Sequence, residues 1–274
     1  MAGIEHLEKL CLTIRKEILT SVYHAKSGHL GGSLSAVEIL VALYFHKMRV
    51  DPVQPKLDER DRFVLSKGHA APALYAVLAN KGFFEKSELN GLRNINSMLQ
   101  GAPGMYTPGI DMSAGSLGQG ISAAVGMALA GKMQKKTYKT YVLLGDGEMQ
   151  EGQVWEALMV ASHHRLGNLI VILDNNHVQM CGVTSEILSI GDPRAKFDAF
   201  GCRTTTIDGH DLGQIVKTLD SMDDEPDGPP VVIIAETIKG KGVSFMENSA
   251  AWHGGAPSAE QLEKALAELG GEAQ

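Results

Sequence analysis

The chain is 274 residues long, 44% hydrophobic and 21% charged, with a formal net charge of −7. This fits one large soluble domain or two small ones, with core enough to need no disulfide or structural metal. An acidic balance without a basic block predicts neither a nucleic-acid partner nor an anionic membrane partner.

No apolar run reaches about 18 residues, so no transmembrane helix is expected. The N-terminus, Met-Ala-Gly-Ile-Glu-His, lacks the charged segment and long apolar run of a secretory signal. Cys11, Cys181 and Cys202 are odd in number and show no Cys-x-x-Cys spacing, which predicts reduced thiols and a cytoplasmic location.

Apolar residues at three- and four-residue steps (Ile4, Leu7, Leu10, Ile14, Ile18, Val22) predict a helix over 4–24. It runs into the glycine-rich loop Ser27-Gly28-His29-Leu30-Gly31-Gly32. A second helix is expected from Ser35, with Ser35 and Glu38 at capping-box spacing. Residues 50–61 read as a charged loop, and Phe63 to Ser66 as a short strand leading to Lys67-Gly68-His69-Ala70. A helix over 71–81 and an irregular stretch over 91–114 follow. Gly115-Ser116-Leu117-Gly118-Gln119-Gly120 opens a helix of small residues, which predicts close packing on another backbone.

Strands are expected at 140–144, 169–173, 203–207 and 231–235, with helices near 151–166, 211–222 and 259–269. Residues 223–230 read as a surface loop rather than a linker. The alternation predicts βαβ crossovers and a single α/β domain over 1–274, a mainly parallel sheet with helices on both faces.

The strongest local signal is a pair of strand ends. One delivers Gly145-Asp146-Gly147, and the next, one helix later, delivers Asn175-Asn176. Ligands of open α/β sheets bind at the carboxyl ends of strands, so Asp146 and Asn176 are expected to face one crevice. A carboxylate and an amide oxygen suit Mg²⁺, which takes hard oxygen ligands and leaves positions for phosphate and water. The flanking glycines allow backbone N–H groups to approach a diphosphate. Gly-Asp-Gly alone is often only a turn; the paired Asn-Asn raises its weight.

These elements resemble the thiamine diphosphate enzymes. Ser27-Gly28-His29, Ser66-Lys67-Gly68-His69, Gly115 to Gly120, Gly145-Asp146-Gly147-Glu148-Met149-Gln150-Glu151-Gly152 and Trp252-His253-Gly254 stand in transketolase order and spacing. Nearly the whole chain looks like the diphosphate-binding (PP-type) N-terminal region of a transketolase. The resemblance implies thiamine diphosphate with Mg²⁺, or Ca²⁺ in its place, held by Asp146, Asn176 and the Val178 carbonyl. It implies cofactor contacts at His69, Gly115, Leu117, Gly147 and Glu148. His29, His69 and His253 would be the catalytic histidines, with His29 and His253 lining the substrate channel and moving protons; a pKa near neutrality suits that work. Without the family each histidine is a weak signal, since loop histidines commonly serve as solvated or capping residues. His6, His24, His46, His163, His164, His177 and His210 match nothing catalytic. Lys239 and Lys241 are expected on a mobile loop near the cofactor, able to face phosphate. Glu151 and Glu156 resemble acidic residues that link active sites across a transketolase dimer; a helix N-terminal turn would also account for them.

Two departures carry weight. Transketolases usually place a histidine before the proline ahead of the Gly-Ser-Leu-Gly-Gln-Gly stretch, and this chain reads Gln100-Gly101-Ala102-Pro103. The resemblance implies a shifted donor preference or weakened turnover. The chain is also less than half a transketolase, lacking the pyrimidine-binding domain. A split enzyme is therefore expected, with a C-terminal partner subunit, an α2β2 heterotetramer, and transfer of a two-carbon ketol unit from a ketose phosphate to an aldose. The alternatives are a 2-oxoacid dehydrogenase α subunit, a deoxyxylulose-phosphate synthase, or a non-catalytic subunit that kept the fold. A Rossmann dinucleotide site is disfavoured, since no Gly-x-Gly-x-x-Gly opens a first βαβ unit.

Overall fold

The computed structural model describes residues 3–222 and 225–270. In chain order its helices are α1 (Ile4–Ala25), α2 (Leu30–Leu34), α3 (Val37–Ala42), α4 (Ala71–Lys81), α5 (Gln119–Met133), α6 (Gly152–His163), α7 (Thr184–Leu188), α8 (Pro193–Ala199), α9 (Leu212–Asp220) and α10 (Ala259–Glu268). The strands are β1 (Arg62–Leu65), β2 (Thr140–Gly145), β3 (Leu169–Asn175), β4 (Val178–Gln179), β5 (Gly182–Val183), β6 (Arg203–Asp208) and β7 (Val231–Glu236).

Five strands form one sheet in the order β1-β2-β3-β7-β6, and every pair in it is parallel. α6 carries the chain from β2 to β3, and α9 from β6 to β7. The central strands are buried on both faces and read as near-continuous apolar runs, as parallel strands covered on both sides do. Alternate residues divide between two cores. Tyr141, Leu143, Ile170 and Ile172 join α1, α3, α4, α9 and α10 on one face. Val142, Leu144, Val171 and Leu173 join α5, α6 and α8 on the other. The expected two-sided parallel α/β architecture is present. Among the described residues no helix is long and apolar enough to cross a membrane.

The close packing expected of α5 is real: a Cβ on Gly120 would fall 2.7 Å from the Ser66 Cα. Larger side chains there would push the helix off the end of β1.

The second helix departs from expectation. The chain turns helical at Leu30, so Gly31 and Gly32 lie inside α2 rather than in a loop. Ser35 caps nothing. Its hydroxyl donates to Asp174 Oδ2 at 2.6 Å, while Glu38 pairs with Arg15 at 2.7 Å. The hydroxyl points toward a buried carboxylate, and a hydrogen bond to an ionised group is among the strong ones. The capping box that does form is Ser258 with Gln261, at the start of α10. The hairpin of β4 and β5 and the short helices α7 and α8 were not expected. Of the 223–230 loop, residues 223 and 224 lie outside the described residues, and the remainder turns directly into β7.

Candidate active site

The register between β2 and β3 pairs Gly145 with Asp174. It thereby brings Asp146, just past β2, beside Asn176, just past β3. Both side chains are buried, at 6% and 3% exposure. Asp146 Oδ1 accepts from the Gly147 N–H at 2.8 Å, and Oδ2 from the Thr184 hydroxyl at 2.9 Å. Asn176 Oδ1 accepts from the Val178 N–H at 3.2 Å, and its Nδ2 donates to Asp174 at 3.3 Å. Asn175 turns away and donates to Glu236 at 2.9 Å.

The donor set fits a hard cation. It combines a carboxylate, an amide oxygen and the Val178 carbonyl, all oxygens. Burial, joined by the charge of Asp174, pushes the Asp146 carboxyl above its ordinary range, against donors from Thr184 and Gly147. A bound cation would relieve that cost. Among the described residues no three His, Cys, Asp or Glu side chains gather as an alternative metal cage.

His29, His69 and His253 come together, although they arrive from the start of α2, the turn before α4 and the turn after Ala250–Trp252. Their ring centroids are separated by 5.4 Å, 5.6 Å and 4.9 Å. Their titration differs from the near-neutral value expected of histidine. Burial first, then Lys67, pushes His69 down to about 2. Burial and Lys239 push His253 down to about 4, and burial and Arg93 lower His29. The cluster is therefore neutral at neutral pH. His253 Nδ1 accepts from Lys239 Nζ at 2.9 Å, which places the His253 proton on Nε2. His29 Nδ1 is buried without a hydrogen-bond partner.

Behind these residues lies a charged support. Asp174 is fully buried and accepts from Lys67, Ser35 and Thr237, as well as from Asn176. Burial alone would raise its carboxyl; Lys67 and the two hydroxyls outweigh that and lower it. Lys67 is 1% exposed and pairs with Asp174. Lys239 also corrects an expectation. It lies buried, not on a mobile loop, and its Nζ donates to the Val178 carbonyl at 2.6 Å. Burial and Lys67 lower its ammonium to about 8. Lys241, by contrast, points outward, its Nζ 3.9 Å from Glu247.

The Glu148 carboxylate accepts from the Ser66 hydroxyl and from the N–H groups of Gly118 and Gly145, at 2.8 Å and 3.0 Å for the two N–H groups. It ties three loops together from beneath. Gly115 and Leu117 are exposed on one of these loops, and the loop meets Gly68, where a Cβ would fall 2.8 Å from the Gly115 nitrogen. Glu151 and Glu156 are exposed on this chain, so their burial would need a second chain. Sequence reasoning missed Asp174, Lys67, Ser35, Thr184 and Thr237. The one available signal was the position of Asp174 and Lys67 at strand ends.

Comparison with known proteins gives the family. The family model described as "Transketolase, thiamine diphosphate binding domain" matches residues 7–274. An apulose-4-phosphate transketolase subunit from Phocaeicola vulgatus is 45% identical over 97% of this chain and 94% of its own. The 6-deoxy-6-sulfo-D-fructose transketolase subunit SqwG of a Clostridium species is 47% identical, over 93% of each chain. The transketolase structure from Campylobacter jejuni superimposes with a TM-score of 0.92 at 33% identity; the match covers 98% of this chain and 43% of that one. The chain therefore belongs to the transketolase family, of which it carries the thiamine diphosphate-binding domain.

Proposed function

We propose that this chain is a single diphosphate-binding domain serving as one subunit of a split transketolase in the cytoplasm. Asp146, Asn176 and the Val178 carbonyl would hold Mg²⁺, or Ca²⁺ in its place. Backbone groups at Gly115, Leu117 and Gly147, together with His69 and Lys239, would meet the diphosphate. The observation that carries this reading is the all-oxygen donor set at two adjacent parallel strand ends, with three neutral imidazoles beside it.

The bound cofactor supplies the electron sink for carbon–carbon cleavage of a ketose. This chain's own residues bind, orient and move protons. His253, with its proton on Nε2, can donate to a donor-sugar oxygen. Burial keeps all three imidazoles neutral, so each carries a single ring proton. Lys239 fixes His253 in one tautomer.

A partner subunit would supply the pyrimidine side, in an α2β2 assembly. Two observations support it. The relatives of matching length are named as transketolase subunits, whereas the Campylobacter chain is more than twice as long. This chain also leaves Met159 and Val160 of α6, Met180 and Val183 of the hairpin, and Ile187 and Leu188 of α7 exposed. Apolar side chains so placed suit a covering chain. Chain and partner mixed with thiamine diphosphate and Mg²⁺ are expected to transfer a glycolaldehyde unit from a ketose phosphate to an aldose. Preferential 2-oxoacid decarboxylation by the mixture would overturn the reading.

Residue 102 bears on the donor. The Ala102 methyl lies 3.4 Å from where a side chain on Gly115 would begin, and its carbonyl accepts from the Tyr75 hydroxyl at 3.1 Å. A larger side chain at 102 would therefore reach the Gly115 loop. Ala102→His adds one donor group there and is expected to change kcat/KM between ketose-phosphate donors by about tenfold. Equal kinetics for both proteins across donors would refute a role for this position.

A further inference from the structure

Lys239 can hold the Val178 carbonyl and the His253 ring only if the turn that carries it stays in place. That turn is pinned on both sides. Before Lys239, the Ile238 N–H donates to His210 Nε2 at 2.8 Å. After it, the Lys241 carbonyl accepts from Arg15 Nε at 3.1 Å. Beneath it, Gly240 N–H donates to the Gly31 carbonyl at 3.0 Å.

The two flanking anchors are joined through one carboxylate. Arg15 Nη2 donates to both oxygens of Glu38, at 2.7 Å and 2.8 Å. His210 Nδ1 lies 3.1 Å from Glu38 Oε2. Because Nε2 accepts from Ile238, the proton of the neutral His210 ring sits on Nδ1 and is donated to Glu38. Arg15 and Glu38 are 4% and 7% exposed. Burial works to raise the Glu38 carboxyl; His210 and Arg15 overcome it and lower it. The network spans α1, α3, the loop between β6 and α9, and the Lys239 turn.

We propose that Arg15, Glu38 and His210 are positioning residues for Lys239, holding its turn so that the ammonium stays at the edge of the cation and diphosphate site. This rests on the function proposed above. None of the three touches Asp146, Asn176 or the three catalytic-candidate histidines among the described hydrogen bonds, so they act through Lys239. Outer residues that orient a site in this way commonly shape affinity nearly as much as the groups they orient.

The two nitrogens of His210 can be tested separately. Glutamine places an oxygen near Nε2 and keeps an acceptor for Ile238. Asparagine places its amide near Nδ1 and loses that acceptor. His210→Asn and His210→Gln would be compared with the wild type in the complex with the partner subunit. Two quantities would be read: thiamine diphosphate affinity by calorimetry with Mg²⁺, and hydrogen exchange of the Ile238 amide. His210→Asn is expected to weaken binding by about tenfold or more and to speed Ile238 exchange by about tenfold. His210→Gln is expected to stay near the wild type in both. Should His210→Asn not fold, Glu38→Asp, which shortens the reach to Arg15 and loosens its hold on the Lys241 carbonyl, takes its place with the same expected loss of affinity. Equal behaviour of the asparagine and glutamine variants, or unchanged affinity in a folded His210→Asn complex, would overturn the proposal. A wild-type complex that binds no thiamine diphosphate would count against the proposed function instead, and the Ile238 exchange rates would still decide the network.

Discussion

Replacing Asp174 with alanine is expected to destabilise the chain by about 3–5 kcal/mol, the cost of breaking a buried ion pair from one side. Lys67, 1% exposed, would be left as an ammonium without its counter-charge. The Ser35 and Thr237 hydroxyls would lose their acceptor at the same time. Chemical denaturation reads the loss. Adding Lys67→Met to Asp174→Ala is expected to recover part of it, since the stranded charge is then gone; strictly additive losses would contradict this reading. The pH dependence has a definite sign. The folded-state carboxyl is held below its unfolded value, so its contribution is full above the ordinary carboxylate range and is lost as pH falls below that range through the lower folded-state value.

Asp146→Asn is expected to act in the opposite sense on the ligand-free chain. The Asp146 carboxylate is raised by burial and by Asp174, so its charge costs stability until a cation arrives. Asparagine keeps an acceptor for the Gly147 N–H and a polar partner for Thr184. Thermal stability without ligand is therefore expected to be unchanged or higher. Mg²⁺-dependent binding of thiamine diphosphate is expected to weaken by about a hundredfold or more, beyond the usual effect of a merely supporting residue. A variant less stable without ligand and unchanged in cofactor affinity would place the residue in the scaffold.

The contrast between these two aspartates shows what a sequence can and cannot tell. The strands, their parallel order and the two-sided core were legible because long apolar runs carry their own period and length. Asp146 and Asn176 were legible because strand-end position is a local property, and the βα unit between them sets their spacing. Asp174 was not. Its partner Lys67 stands 107 positions away, and nothing local marks either charge as buried. Ser35 misled for the same reason: its spacing to Glu38 suits a cap, but both side chains are claimed by residues distant in sequence. Lys239 and His210 sit in loops by local pattern, and only the folded chain brings them to Val178 and Glu38. The hairpin of β4 and β5 has two residues per strand, too short for any periodicity to reveal.

The proposed grip of Asp146, Asn176 and the Val178 carbonyl on the cation of a diphosphate cofactor can be seen directly. The most direct measurement is a crystal structure of the complex with the partner subunit, loaded with thiamine diphosphate and Mn²⁺ in place of Mg²⁺, using the anomalous signal to locate the metal. The predicted result is one peak per chain bonded to those three oxygens, with the Lys239 ammonium no longer alone on the Val178 carbonyl. A peak elsewhere, or cofactor bound with no metal at these oxygens, would contradict the account.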